Sequence, residues 1–406
     1  MSRIRDAIDP KVLNASLLIA ATAIGLSYFT MPILTGIAGF IPAILMTLFI
    51  WLFTQALALL FVEVILGQPD GANIISLSRL LLGKTWMVIL AVVVCINMIG
   101  FLTGYAYFME KFFIWFFEIY FHLHLSIFLS SLLSTLPFLL ILFLGVACAL
   151  YVNIFFALGL LGTLFLAVYF GRSYVVTNHL LESHFTYIFF SVPTLFSTFG
   201  YLNVLPPLCT YLHREPRKIR YSILIGSSLV MIVYLFWQWL ILGSNNPASF
   251  WVAFEKGVSI EQIFSMMQRV PYLNTCLNFI LFFSMSTSFI GNGTAFVELI
   301  CDGLGLQIDK RTGWNRFYIC LFILILVLPF SLVPGSPFLT LLRKFITPLG
   351  EVLIIGIVPA WMAAQARYVR AYAMPVMLRG GKISLFILGV ALFLLIYLEG
   401  IVFIRS

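Results

Sequence analysis

Two apolar stretches hold residues that could grip a charged ligand without any charged side chain. The first is Thr22-Ala23-Ile24-Gly25-Leu26-Ser27-Tyr28-Phe29-Thr30-Met31-Pro32, where a glycine, a proline and three hydroxyls interrupt a long hydrophobic run. Glycine loosens a helix and proline removes an amide donor, so a spanning helix is expected to unwind here. Inside a bilayer, freed backbone groups are tolerated only where they face protein or a polar cavity. The half-helix starting after such a break offers N–H groups and a positive dipole, and the half ending there offers carbonyls. Leu26, Ser27 and Tyr28 would supply the N–H groups to a carboxylate, and Thr22, Ala23 and Ile24 the carbonyls to an ammonium. Gly25 would let the ligand approach the backbone. A proline kink packed on a neighbouring helix would use the same residues without a ligand.

The second stretch runs from Phe196 to Pro207 and carries Gly200 and two consecutive prolines. Paired broken helices in corresponding positions of two halves point to a transporter binding site. Phe196, Phe199 and Tyr201 around Gly200 suit a flat aromatic ligand, although among 41 phenylalanines many simply face lipid or other helices. Ser284, Ser286, Thr287 and Ser288 cluster further on, where hydroxyls could join exposed carbonyls around a hard cation. They could equally bond to carbonyls of their own or a neighbouring helix. Glu63, Glu298, Glu351 and Glu399 lie in or beside apolar runs, and Glu63 is the preferred proton carrier or structural anchor. There is no nucleophile elbow, phosphate loop, metal-ligand pattern or paired carboxylate within the runs, so an enzyme is disfavoured.

The elements that must position these groups follow from composition. Of 406 residues, 62% are apolar and 9% charged, with mean hydropathy +1.09. Soluble chains carry about a quarter charged residues, so this is an all-α integral membrane protein rather than a soluble domain or a barrel of short alternating strands. Six scattered cysteines form no metal-type pair and read as free thiols. Eleven spans are expected, at about 13–35, 38–66, 86–117, 127–148, 152–170, 187–211, 219–243, 272–299, 317–333, 346–364 and 383–404. With the N-terminus inside, sixteen Lys and Arg residues fall on cytoplasmic segments and seven on the other side, so the N-terminus is expected in the cytoplasm and the C-terminus in the periplasm. Ile74 to Gly83 is apolar at helical spacing and should lie along the inner face, and the loops 171–186 and 244–271 should carry short interfacial helices. A hydroxyl three residues before Gly25 and again before Gly200, each followed by a proline, makes a faint echo between halves. It suggests inverted copies at about 12–170 and 187–364, with 383–404 as an addition.

These residues also carry a resemblance. Ala21 to Pro32 (ATAIGLSYFTMP) resembles the first-helix signature of the bacterial hydroxy/aromatic amino acid permeases, within the amino acid-polyamine-organocation superfamily. Leu60-Phe61-Val62-Glu63-Val64, Phe196 to Pro206 (FSTFGYLNVLP), Tyr234 to Gly243 (YLFWQWLILG) and Ser286 to Gly291 (STSFIG) extend it from about 12 to 300. The likeness is greatest to the tyrosine-type permeases. It implies a LeuT-like bundle of inverted five-helix repeats plus one helix, and ion-driven uptake of aromatic amino acids across the inner membrane. It further implies a carboxylate-contacting turn at Gly25, Leu26 and Ser27, ammonium-facing carbonyls at Phe196, Thr198 and Phe199, and Tyr201 beside the substrate ring. By the same resemblance the coupling ion would sit by Ala21, Ile24, Thr287 and Ser288. The chain departs from the pattern with Leu26-Ser27 after Gly25, and with Leu202 where a histidine is usual.

The expected function is thus secondary active symport of tyrosine or tryptophan, with protons favoured over sodium and no other cofactor. The expected partners are the amino acid and the lipid bilayer, with no nucleic acid. A permease for small hydroxy or branched-chain amino acids is the alternative within the class, and a channel or lipid-handling protein outside it. The sequence holds no signal for an oligomeric state.

Overall fold

A computed structural model describes residues 9–256, 259–267, 272–332, 350–370, 375–378 and 380–405. Arg3, Arg5, Arg269, Arg343, Lys344 and Arg379 of the charge count lie outside them, as do the Glu399 side chain and the ends of two expected spans at 333 and 346–349.

The chain opens with α1 (Pro10–Ala23), whose first turn carries a proline and whose N-cap Asp9 accepts the Lys11 amide. Across Ile24 and Gly25 the axis turns by 58° into α2 (Leu26–Ala38). The break therefore falls at Ile24-Gly25. Pro32, expected to mark it, lies inside α2, seven residues beyond, where it leaves the Tyr28 carbonyl without its usual amide but does not end the helix. At Gly39 the backbone takes φ +92°, and an added Cβ would stand 2.2 Å from the Glu182 carbonyl oxygen, so only glycine fits between α2 and α3 (Phe40–Leu66).

The short amphipathic α4 (Ile74–Leu81), capped reciprocally by Asn73 and Ser76, forms where a helix was expected. There follow α5 (Lys84–Phe121), α6 (Ile127–Leu144), α7 (Val146–Gly171) and the five-residue α8 (Thr177–Leu181). The next span, Phe185–Tyr211, is interrupted. It winds through α9 (Val192–Thr198), loses helical form at Phe199 to Tyr201, and resumes through a single turn into α10 (Leu205–Tyr211). Then come α11 (Pro216–Ser244), the short α12 (Ala248–Glu255) and α13 (Ile260–Met267), α14 (Leu273–Gly303), α15 (Gly313–Ser331), α16 (Val352–Val369) and α17 (Gly381–Arg405). Both ends of α16 are wound as π-helix.

Among the described residues, ten helices are long and apolar enough to cross a membrane, and the bent pair α1–α2 makes eleven. α1 is packed between α7, α11 and α14, and α14 also lies along α5. Broken helices belong in such a place, because their unpaired peptide groups meet protein rather than lipid. Phe155, Phe165, Phe386 and Phe393 stand largely exposed on the perimeter, as lipid-facing side chains must.

Candidate functional site

At the first break the helical ladder stops. Gly25 N bonds to Ala23 O at 2.9 Å, and α2 starts with no side-chain cap, leaving the amides of its first turn without helical partners. The carbonyls of the break are taken by neighbouring hydroxyls. Ser284 Oγ donates to Ile24 O at 2.5 Å, Thr287 Oγ1 lies 3.0 Å from Ala21 O, and Ser288 Oγ lies 3.3 Å from Thr22 O and 3.4 Å from Ile24 O. The four residues expected around a coupling ion, Ala21, Ile24, Thr287 and Ser288, are thus brought together. Ser284, whose own carbonyl is 2.9 Å from Thr287 Oγ1, joins them.

Two contacts tie the breaks to each other. Ser27 Oγ and Ser197 Oγ are 3.0 Å apart. The Tyr234 hydroxyl from α11 lies 2.8 Å from Ala23 O and 2.5 Å from Thr198 O, and its single proton serves one of them at a time. Sequence reasoning missed Tyr234 as a site residue, since a tyrosine in a buried helix shows its role only once its partners are placed. Tyr234→Phe should cut initial uptake rates about tenfold at equal membrane abundance, the factor that one hydrogen bond of about 1.4 kcal/mol represents.

Between the breaks lies a cavity of about 350 Å³, within the range of small-molecule sites. Of the ten residues expected to bind substrate, Thr22, Ala23, Gly25, Leu26, Ser27 and Gly200 line it. The side chains of Phe196, Thr198, Phe199 and Tyr201 do not. Ser197 and Gly200, three residues apart, share the face toward the cavity. Phe196 and Phe199 take another face, where Phe196 lies 6.1 Å from the Phe53 ring and Phe199 5.2 Å from Tyr234. Tyr201 is fully buried, and Thr198 Oγ1 turns back onto Leu195 O. The carbonyls of Phe196, Thr198 and Phe199 accept from Phe199 N, the Tyr234 hydroxyl and Tyr201 N.

The aromatic wall comes instead from α5, through Phe101, Tyr105, Tyr107 and Phe108. Gly100 and Gly104, one turn apart, open the space beside it, and this glycine spacing was the available signal. Asn292 holds the Tyr105 hydroxyl at 3.3 Å, and Glu351 brings a carboxylate to the cavity. Glu63 joins neither group. Arg367 grips its carboxylate twice at 2.6 Å, and the Met377 amide adds a third bond.

The family model described as the tryptophan/tyrosine permease family matches residues 8–398. The chain belongs to this family. It is 26% identical over 397 residues to a tryptophan-specific transport protein of Haemophilus influenzae, covering 88% of each chain. It is 24% identical over 370 residues to a low affinity tryptophan permease of Escherichia coli K12, covering 86% of each. A tyrosine-specific transport system of H. influenzae is 24% identical over 327 residues, covering 75% of this chain and 76% of that one. The fold is shared with a nucleobase-cation-symport-1 family transporter solved in a closed conformation with bromovinylhydantoin bound. There the TM-score is 0.58 at 12% identity, covering 97% of this chain and 90% of the other. This permease is a multi-pass membrane transporter and not an enzyme, as the sequence led one to expect.

Proposed function

We propose that this permease imports tryptophan or tyrosine by ion-coupled symport with alternating access across a bacterial inner membrane. The observation that carries the proposal is the cavity between the two breaks, which has free peptide amides at one end and an aromatic wall along its side. The carboxylate would bind the amides of Leu26 and Ser27, and the ring would lie against Phe101, Tyr105 and Phe108. The ammonium would face the peptide carbonyls near Ser197 and Gly200. The relatives' transport of tryptophan or tyrosine supports the same substrate class. Sixteen of the 23 basic residues falling on one side support a cytoplasmic N-terminus and periplasmic C-terminus. The halves 12–170 and 187–364 would be inverted repeats, each opening on a broken span.

Protons are the proposed driving ion, with Glu351 as the carrier at the site. In proteoliposomes, labelled tryptophan or tyrosine should accumulate under an inside-alkaline gradient without sodium, and a protonophore should abolish it. Counterflow should exchange tryptophan and tyrosine much faster than serine, and equal rates would remove the aromatic assignment. Glu351→Gln should lower gradient-driven accumulation about tenfold or more while sparing counterflow. Sodium has an observation of its own, the neutral oxygens of Ala21, Ile24, Ser284, Thr287 and Ser288, which form a donor set for a hard cation without a carboxylate. A strict sodium requirement that disappears in Thr287→Ala together with Ser288→Ala would overturn the proton and assign coupling there.

A further inference from the structure

A second cavity, of about 500 Å³, lies where α7, α10, α14 and α15 begin or end. It is bounded by Gly71, by the α6–α7 junction and by the loop before α15, all segments assigned to the cytoplasmic side. Its charge is unbalanced. Arg311 Nη1 and Arg316 Nη1 both donate to the one carboxylate of Glu298, at 3.0 and 2.8 Å. Arg311 spends its other donors on Leu306 O and Gly71 O, and Arg316 Nε bonds to Leu142 O. Arg316 is 3% exposed, and its Nη2 is buried with no partner. Asp302, one turn beyond Glu298, is engaged by the Ser76 amide and does not line the space. Two long helices also start at its wall without side-chain caps, α7 at Gly145 and α15 at Thr312, whose hydroxyl turns to Asp309 O. An unpaired buried guanidinium edge and two uncapped N-termini together ask for an anion. Apolar surface from Phe143, Pro206 and Tyr211 completes the space.

We propose that this cavity is a release-side station for the carboxylate of the departing amino acid, with its ring on Phe143, Pro206 and Tyr211. It rests on the aromatic amino acid reading above. α10 leads to it from the second break, which places it on the way out. Glu298 is saturated by two arginines, so the station selects the anionic end and needs no ammonium. A lipid phosphate shares the anion chemistry, and the test separates the two.

The full-length protein in phosphatidylcholine nanodiscs should bind labelled indole-3-propionate, which has the ring and the carboxylate but no ammonium. Tryptophan should displace it and tryptamine should not. Ala147→Asp puts a carboxylate in the first turn of α7, where it favours the helix and so preserves the fold. It should abolish indole-3-propionate binding, while Arg316→Lys should weaken it about tenfold by losing the planar fork. Gly25→Val should leave it unchanged. Binding insensitive to Ala147→Asp, or absent altogether, would overturn the station even where the wild type transports tryptophan. Phosphatidylglycerol that stays bound through native mass spectrometry, is lost in Ala147→Asp and is not displaced by tryptophan would assign the cavity to lipid and overturn it too. Failure of the wild type to bind or exchange any aromatic amino acid, with indole-3-propionate still bound, would instead sink the substrate assignment of the central site and with it the transit role.

Discussion

Gly25→Val should abolish uptake, by at least about a hundredfold, while the protein still inserts and purifies as a single species. A Cβ on Gly25 would stand 3.3 Å from Ser288 Oγ and 3.5 Å from the Tyr105 hydroxyl, at the wall of the cavity. One methyl is tight there, and valine adds two more in front of the amides that open α2. A hundredfold corresponds to about 2.7 kcal/mol, which is modest for a carboxylate denied its backbone donors. Gly25→Ala should fall between, because the Ser288 hydroxyl can give by a few tenths of an ångström. Gly291 makes the control. Its Cβ would meet Thr22 Oγ1 at 2.0 Å where α14 crosses α1, so Gly291→Val should fail to fold rather than fold without activity. Equilibrium binding, uptake and size-exclusion profiles on the same samples separate the two outcomes. A monodisperse Gly25→Val protein that transports normally would remove the central site from the first break.

What could be read from the sequence follows from what each residue needs. A glycine among hydroxyls in an apolar run has few reasons to exist in lipid, and the break at Gly25 was legible for that cause. Pro32 misplaced its far edge. Within a bundle, the one amide missing at Pro32 leaves only the Tyr28 carbonyl unpaired and does not unwind a helix whose other bonds survive, so proline marked the span and not the rupture. The count of eleven spans and the α4 segment needed only hydropathy and period. The aromatic wall was hidden, because Phe101, Tyr105 and Phe108 look like any of the other rings until the helix beside them is placed. Around Gly200 the residue types pointed to a site, but the cavity face fell on Ser197 and Gly200, a matter of rotation that no composition reveals. Tyr234 reaches Ala23 across 211 residues of chain and Thr287 reaches Ala21 across 266, and only the packing of α1 between α11 and α14 makes them partners.

Glu63→Ala should destabilise the protein by about 3–5 kcal/mol, the cost of leaving one member of a buried ion pair alone. The Glu63 side chain is 1% exposed and that of Arg367 11%, and one guanidinium edge, Nε and Nη2, meets both carboxylate oxygens. Arg367 also donates to Leu378 O, and Arg220 reaches Met377 O at 2.8 Å, so the pair clasps α3, α16, α11 and the segment around Met377. Without the carboxylate, the guanidinium keeps its charge in a place water hardly enters, and the Met377 amide loses its acceptor. Thermal unfolding in detergent should show a clear loss for Glu63→Ala, and a partial one for Glu63→Gln, which keeps an acceptor oxygen. Glu63→Leu combined with Arg367→Met should recover most of the stability, because apolar replacement of both members removes the stranded charge. Since Glu63 lines neither cavity, that double variant should also transport. If it folds as firmly as the wild type yet no longer accumulates substrate against a gradient, the carboxylate has a coupling role beyond holding the helices together, and Glu63 belongs with the ion after all.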